Sequence, residues 1–70
     1  MNSREFKAQM VRKNKSSKQL CKALKISRSA WYRKLNGISS FTQPEICILR
    51  HELELDDGLT MTIFFDEKVS

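Results

Sequence analysis

The segment SSKQLCKALKISRSAWYRKLNG, residues 16–37, decides the fold because it carries two short helix signals separated by one turn. Ser16 or Ser17 can begin the first helix, since a serine hydroxyl accepts a hydrogen bond from an unpaired backbone N–H of the first turn. One apolar face follows at i, i+3 and i+4, formed by Leu20, Ala23 and Leu24. This helix must be short, because Ile26 is expected in the core and Ser27 can cap another helix.

The second helix of this segment is predicted from Arg28 to about Leu35, and Gly37 stands where helices commonly end in a left-handed residue. Trp31 and Leu35 share one edge of this helix at i and i+4 spacing, and we expect that edge in the core. The polar side chains fall within one sector about 140° wide, at about 100° per residue. They are Arg28, Ser29, Tyr32, Arg33 and Asn36. We expect this cationic, donor-rich sector to face outward.

The net charge of +5 is unevenly distributed along the chain. Residues 1–36 contain eleven lysines and arginines with Glu5 as their one acid, whereas residues 37–70 contain two cations and seven acids. Such segregation is unfavourable unless the positive side meets a polyanion. A solvated lysine-rich surface is the alternative, but the near absence of acids over half the chain favours nucleic acid as the partner.

Length and composition exclude several classes of protein. Seventy residues indicate one domain, residues 1–70. Cys21 and Cys47 form no CxxC pair and cannot complete a four-ligand zinc site with His51, so we expect reduced thiols, no metal and no cofactor; a disulfide is the alternative. No apolar run approaches the 18 or so residues of a membrane span, and no signal peptide is visible, so we expect a cytoplasmic protein without a membrane partner. No catalytic set is recognisable, so we expect no enzyme.

Helix signals also flank the central segment. Ser3 can cap a first helix, whose apolar stripe is Phe6, Met10 and Val11. Thr42 can cap a fourth helix with Pro44 in its first turn, where the missing N–H does no harm. Apolar residues then recur at Ile46, Ile48, Leu49, Leu53 and Leu55.

The last segment, LTMTIFF at residues 59–65, fits two structures. Its β-branched residues suit a strand. The spacing of Leu59, Ile63 and Phe64 at i, i+4 and i+5 suits a helix capped by Asp57, and we favour the helix. The fold class predicted for the whole chain is therefore an all-α bundle of about five short helices.

Residues 16–37 resemble the helix-turn-helix of the lambda-repressor-like (Cro and Xre type) family of phage and bacterial regulators. The resemblance extends over about residues 4–55, through EFKAQMVRKN before the motif and FTQPEICILRHELEL after it, where it lies mainly in apolar spacing. It implies that the second helix of the motif enters the major groove of DNA. Three positions depart from the family: Ser17 replaces a frequent glutamine, Cys21 a usual alanine, and Lys25 a frequent glycine, which places left-handed strain in the turn.

The resemblance also implies which residues contact DNA in a sequence-specific transcriptional regulator. The base contacts carried over by position are Arg28, Ser29, Tyr32 and Arg33. Arginine suits this role because it can donate two hydrogen bonds to one guanine. The implied phosphate contacts are Ser17, Lys15, Lys18, Lys34 and Asn36. For each residue the alternative is a solvated side chain.

Family members usually pair two-fold on inverted repeats of double-stranded DNA, so the resemblance implies a homodimer, formed in solution or only on DNA. Residues 56–70 are the candidate dimerisation tail, because adjacent phenylalanines cannot both face one small core. Its apolar residues are Met61, Ile63, Phe64 and Phe65. Two alternatives remain open: a helical interaction module that binds another regulator protein, with DNA binding secondary, and a nonspecific nucleic-acid binder.

Overall fold

The computed structural model describes residues 1–65, which form five α-helices and contain no β-strand. In chain order the helices are α1 (Ser3–Arg12), α2 (Ser17–Leu24), α3 (Arg28–Leu35), α4 (Gln43–Glu52) and α5 (Asp57–Phe64). The predicted all-α bundle is confirmed, and residues 59–65 take the helical alternative. Within residues 1–65, no helix has both the length and the apolar character that a bilayer crossing requires.

Side-chain caps fix where the helices begin. Ser16 and Gln19 form a reciprocal capping box at α2, with Ser16 Oγ accepting from the Gln19 N–H at 3.1 Å. Ser27 caps α3, as the sequence predicts. At α1 and α5 the predicted caps are wrong by one residue. Asn2 and Asp56 accept from the backbone N–H three positions ahead, which Ser3 and Asp57, already inside their helices, do not.

A tight turn of three residues joins α2 to α3. Lys25 takes the left-handed conformation there, with φ 58° and ψ 42°, so the strain expected from the missing glycine is present. The Ile26 N–H donates to the Cys21 carbonyl at 3.3 Å, and the Cys21 thiol donates back to the Ile26 carbonyl at 2.9 Å. The Ile26 side chain is half-buried against the core. The two hydrogen bonds and the packing of Ile26 stabilise the turn between α2 and α3.

The core is built around an aromatic cluster in which four rings pack at centroid distances of 5.8–6.1 Å: Phe6, Trp31, Phe41 and Phe64. Trp31 is fully buried, which confirms it as a core residue. The predicted stripe of α1 is wrong at Val11, which is 81% exposed. Gln9 completes the buried face instead, because it lies on the same side as Phe6 and Met10, while Val11 is turned about 100° further round the helix.

The apolar end of the described chain is largely part of the core, not a free surface. Ile63 is fully buried, and its carbonyl accepts the Asn2 N–H at 2.8 Å. Phe64 is half-buried against Phe6 and Phe41. The prediction that residues 61–65 form one dimer surface is therefore wrong for Ile63 and Phe64, since α5 packs on α1. Residues 66–70 of the predicted tail lie outside the described residues.

Candidate nucleic-acid interface

The outward face of α3 gathers the residues predicted to contact bases. All four are exposed: Arg28, Ser29, Tyr32 and Arg33. On the same helix Trp31 and Leu35 are buried in the core, so the helix is anchored by one side and presents the other. The anchoring is what holds the polar side chains on a single solvent-facing surface.

The two guanidinium groups of this face have no acidic partner nearby. Neither Arg28 nor Arg33 forms an ion pair with a carboxylate of residues 1–65. Each guanidinium carries five N–H donors in a planar fork and no acceptor. Their donors are therefore available to acceptor groups on a partner molecule.

Four predicted contacts meet at a second place, where the start of α2 approaches the end of α3. A depression of about 340 Å³ is lined there by Lys15, Ser17, Tyr32 and Asn36. Tyr32 belongs both to this depression and to the exposed face of α3, so the two are continuous. Lys15 also approaches Glu52 at 3.4 Å, and this ion pair ties the turn before α2 to the end of α4.

Lys18, another predicted phosphate contact, reaches the same surface through a groove between α2 and α3. Lys18 lines it together with Arg28 and Tyr32, over a floor that includes Cys21 and Ile26. Base-contacting and phosphate-contacting candidates from both helices therefore share one surface, which we call the α2–α3 face.

No family model, curated protein or solved structure matches this chain. What the α2–α3 face binds is therefore argued from its own chemistry. The face offers guanidinium, ammonium, hydroxyl and amide donors, and residues 28–36 contribute no carboxylate to it. Such a surface suits a polyanion that also presents hydrogen-bond acceptors. The helix-turn-helix interpretation of α2 and α3 stays a prediction.

Lys34 does not join the other predicted phosphate contacts. Its ammonium donates to Glu45 Oε1 at 2.7 Å and to the Ser40 carbonyl at 3.3 Å, and lies 5.8 Å from the Phe41 ring centre. The two side chains of the pair are only 14% and 15% exposed. Lys34 is thus engaged in an internal ion pair that joins α3 to α4.

Competing effects act on the carboxyl group of this ion pair. Burial by itself would raise the pKa of Glu45. Hydrogen bonds from Lys34 and from the Thr42 N–H, together with the charge of Lys34, outweigh burial and hold the pKa below its ordinary value. Thr42 is also the α4 cap, so one carboxylate completes the capping box and the ion pair.

The acidic half of the chain neutralises only part of the basic half. Besides the Lys34 pair, Lys13 lies 3.5 Å from Glu54 and Lys15 lies 3.4 Å from Glu52. The other cations of residues 1–36 form no ion pair with a carboxylate of residues 1–65; they are Arg4, Lys7, Arg12, Lys18, Lys22, Lys25, Arg28 and Arg33. The positive field of this half therefore persists in the folded chain.

Three residues that were not among the predicted DNA contacts also line this surface or the adjoining depression. Lys22 lines the groove between α2 and α3, while Lys7 and Val11 line the depression with Tyr32 and Asn36. The sequence signal for Lys7 and Lys22 was their charge alone. The sequence predicted Val11 in the core, because it was counted in the apolar stripe of an amphipathic helix, so nothing pointed to a place at the surface.

Proposed function

We propose that the chain is a cytoplasmic, sequence-specific DNA-binding regulator of transcription, of the Cro-repressor type. In this proposal α2 and α3 act as a helix-turn-helix, and α3 enters the major groove of an operator. The observation that carries it is the α3 helix itself: Trp31 and Leu35 hold one side in the core, while Arg28 and Arg33 extend outward without an acidic partner in residues 1–65.

The residues of the α2–α3 face have two kinds of role in this mechanism, contact with bases and contact with phosphates. Arg28 and Arg33 read guanines through paired hydrogen bonds to O6 and N7, and Tyr32 packs on a thymine methyl group or donates to a phosphate. Ser17 and Asn36 donate to phosphate oxygens and fix the register of α3 on the duplex. Occupation of the operator excludes RNA polymerase from a promoter or recruits it.

The proposed regulator acts as a homodimer, since one short helix covers only a few base pairs. Met61 of α5 and Phe65, the residue that caps the end of this helix, stay exposed at 57% and 39% and supply an apolar contact at i and i+4 spacing. The same two side chains favour a second candidate function, a helical module that binds another regulator protein and uses DNA only secondarily.

Selection from a library of random duplexes tests the proposal directly. We expect enrichment of an inverted repeat whose half-sites lie about one DNA turn apart. Retention of duplex DNA without any enriched sequence would instead indicate a nonspecific binder. Failure to retain DNA at low salt, combined with binding of a partner protein through α5, would favour the interaction module.

A further inference from the structure

The depression lies where the α2–α3 face meets α1, and its lining is both apolar and polar. Its floor is apolar and formed by Met10 and Leu35, whereas Ser17, Tyr32 and Asn36 stand around it. The side chains of Ser17 and Asn36 make no hydrogen bond within residues 1–65, so their polar groups remain available. The depression therefore combines an apolar base with polar groups that lack partners.

Helix α1 supplies the remaining side of this depression through Lys7 and Val11. The two residues are separated by one helical turn, so they lie on the same face of α1. Val11 is 81% exposed, although it is an apolar, β-branched residue in a helix whose other long apolar side chains are buried. Val11 therefore continues the apolar surface formed by Met10 to the outside of the molecule.

Lys7 adds charge at the same edge. Its ammonium group forms no ion pair with a carboxylate of residues 1–65, in contrast to Lys15, which contacts Glu52 at 3.4 Å. An unpaired ammonium group beside an exposed apolar side chain suits a ligand that has both an anionic and an apolar part. The depression is thus cationic on its α1 side.

We infer that α1 forms part of the DNA interface, and that Lys7 and Val11 seat one sugar–phosphate unit of a DNA strand in this depression. A sugar–phosphate unit has matching chemistry, because its phosphate is an anion with hydrogen-bond acceptors and its deoxyribose presents C–H groups. Lys7, Ser17 and Asn36 meet the phosphate, while Val11 lies against the sugar. The inference rests on the proposed function and adds a backbone contact outside the α2–α3 pair.

Charge removal on α1 tests the contact, with Arg12 as the matched control. Arg12 is an exposed α1 cation without an acidic partner in residues 1–65, like Lys7, but it does not line the depression. We expect Lys7→Gln to reduce the slope of log K against log salt by about 0.9, because one phosphate contact is lost. Selected and random duplexes should lose affinity in equal proportion. Arg12→Gln should leave the slope nearly unchanged.

The apolar part of the contact is tested by Val11→Thr, which keeps the shape of the side chain. We expect DNA binding to weaken about fourfold, the equivalent of one buried methyl or methylene group. Ile38→Thr is the control, since Ile38 is also a strongly exposed apolar residue but lies outside the depression. Both variants should unfold at the temperature of the parent chain, because neither position is buried.

The outcomes separate this inference from the proposed function. If duplex DNA is bound and Lys7→Gln and Arg12→Gln change the salt slope equally, α1 contributes only long-range charge and the inference is wrong, while the proposed function stands. The same conclusion follows if Val11→Thr and Ile38→Thr bind alike. If the parent chain binds no duplex DNA at low salt, both are wrong.

Discussion

At the scale of single residues, Arg33 is the sharpest test of sequence recognition. It is exposed on α3 and has no acidic partner among residues 1–65. We expect Arg33→Ala to weaken binding to the selected operator by about 1–3 kcal/mol, because a paired contact to guanine is lost. Affinity for random duplex should change little. Titrations with both duplexes at one salt concentration measure the difference, and equal losses would show that Arg33 contacts only phosphate.

The backbone of Lys25 is strained, and glycine at this position would relieve the strain. Its φ of 58° lies in the left-handed region, where a side chain with a Cβ is strained and glycine is not. We expect Lys25→Gly to raise the free energy of unfolding by about 0.5–1 kcal/mol, because the left-handed cost of about 1–2 kcal/mol exceeds the added entropic cost of glycine, about 0.5–1 kcal/mol. Urea denaturation measures the change. Lys22→Gly is the control, since the same change inside α2 should lower stability by about 1 kcal/mol. Destabilisation by Lys25→Gly would contradict the strain.

At the scale of helices, the ion pair between α3 and α4 makes stability depend on pH. The Glu45 pKa is lowered in the folded chain, so the stabilisation it gives is present above the ordinary value of 4.5 and is lost as the pH falls below it. We expect urea unfolding to require less denaturant at about pH 3 than at neutral pH. Glu45→Gln should reduce this dependence. Glu54→Gln is the control, because Glu54 is mostly exposed, and an identical effect of both changes would contradict the assignment.

A second ion pair, between Lys15 and Glu52, involves a predicted phosphate contact. The Glu52 carboxylate lies 3.4 Å from the Lys15 ammonium group, so under the proposed function it competes with a DNA phosphate for that group. We expect Glu52→Gln to bind random duplex more tightly and with a steeper salt dependence, by about 0.9 in slope. Filter binding at several salt concentrations gives the slope. Weaker binding would show instead that Glu52 orients Lys15 towards DNA.

At the scale of the whole molecule, local signals in the sequence predicted which segments are helical. They did not predict which helices pack together. Ser27 and Thr42 were recognisable as caps, and Ser16 as one of two candidates with Ser17, because a cap depends on residues three positions ahead. Burial depends on which helices pack together. The helical spacing of the apolar residues in α1 was therefore not enough to predict that Val11 is exposed. The outward sector of α3 was predictable, since Trp31 and Leu35 define its opposite side.

The Lys34–Glu45 pair shows the same limit for charged residues. It joins two helices that are separated in the sequence by a loop, and only the folded arrangement brings the ammonium within 2.7 Å of the carboxylate. The sequence does not reveal this pair, so Lys34 was predicted to contact a phosphate from its position on α3 alone. The tertiary fold decides which cations remain available to a partner.

The end of α5 is part of the core, so the domain should not fold without it. Because Ile63 is buried and bonds to Asn2, we expect truncation after residue 60 to unfold the chain, in contrast to the folded monomer that a free tail would leave. Circular dichroism of the truncated chain measures this. A folded product would show that α5 is dispensable for the core.

A double substitution on the exposed side of α5 separates assembly from folding. Met61→Ser with Phe65→Ser removes the apolar contact while leaving Ile63 in place. We expect the helical content of the parent chain, but a single protomer on an inverted-repeat duplex in analytical ultracentrifugation, where the parent chain binds as two. A matched pair, Ile38→Ser with Ile48→Ser, removes two exposed apolar side chains that lie outside α5 and outside the proposed DNA interface, and it should keep two protomers bound. Two protomers with the α5 variant would place the dimer contact elsewhere, because the remaining apolar residues of α5 all belong to the core or pack against it: Leu59, Ile63 and Phe64.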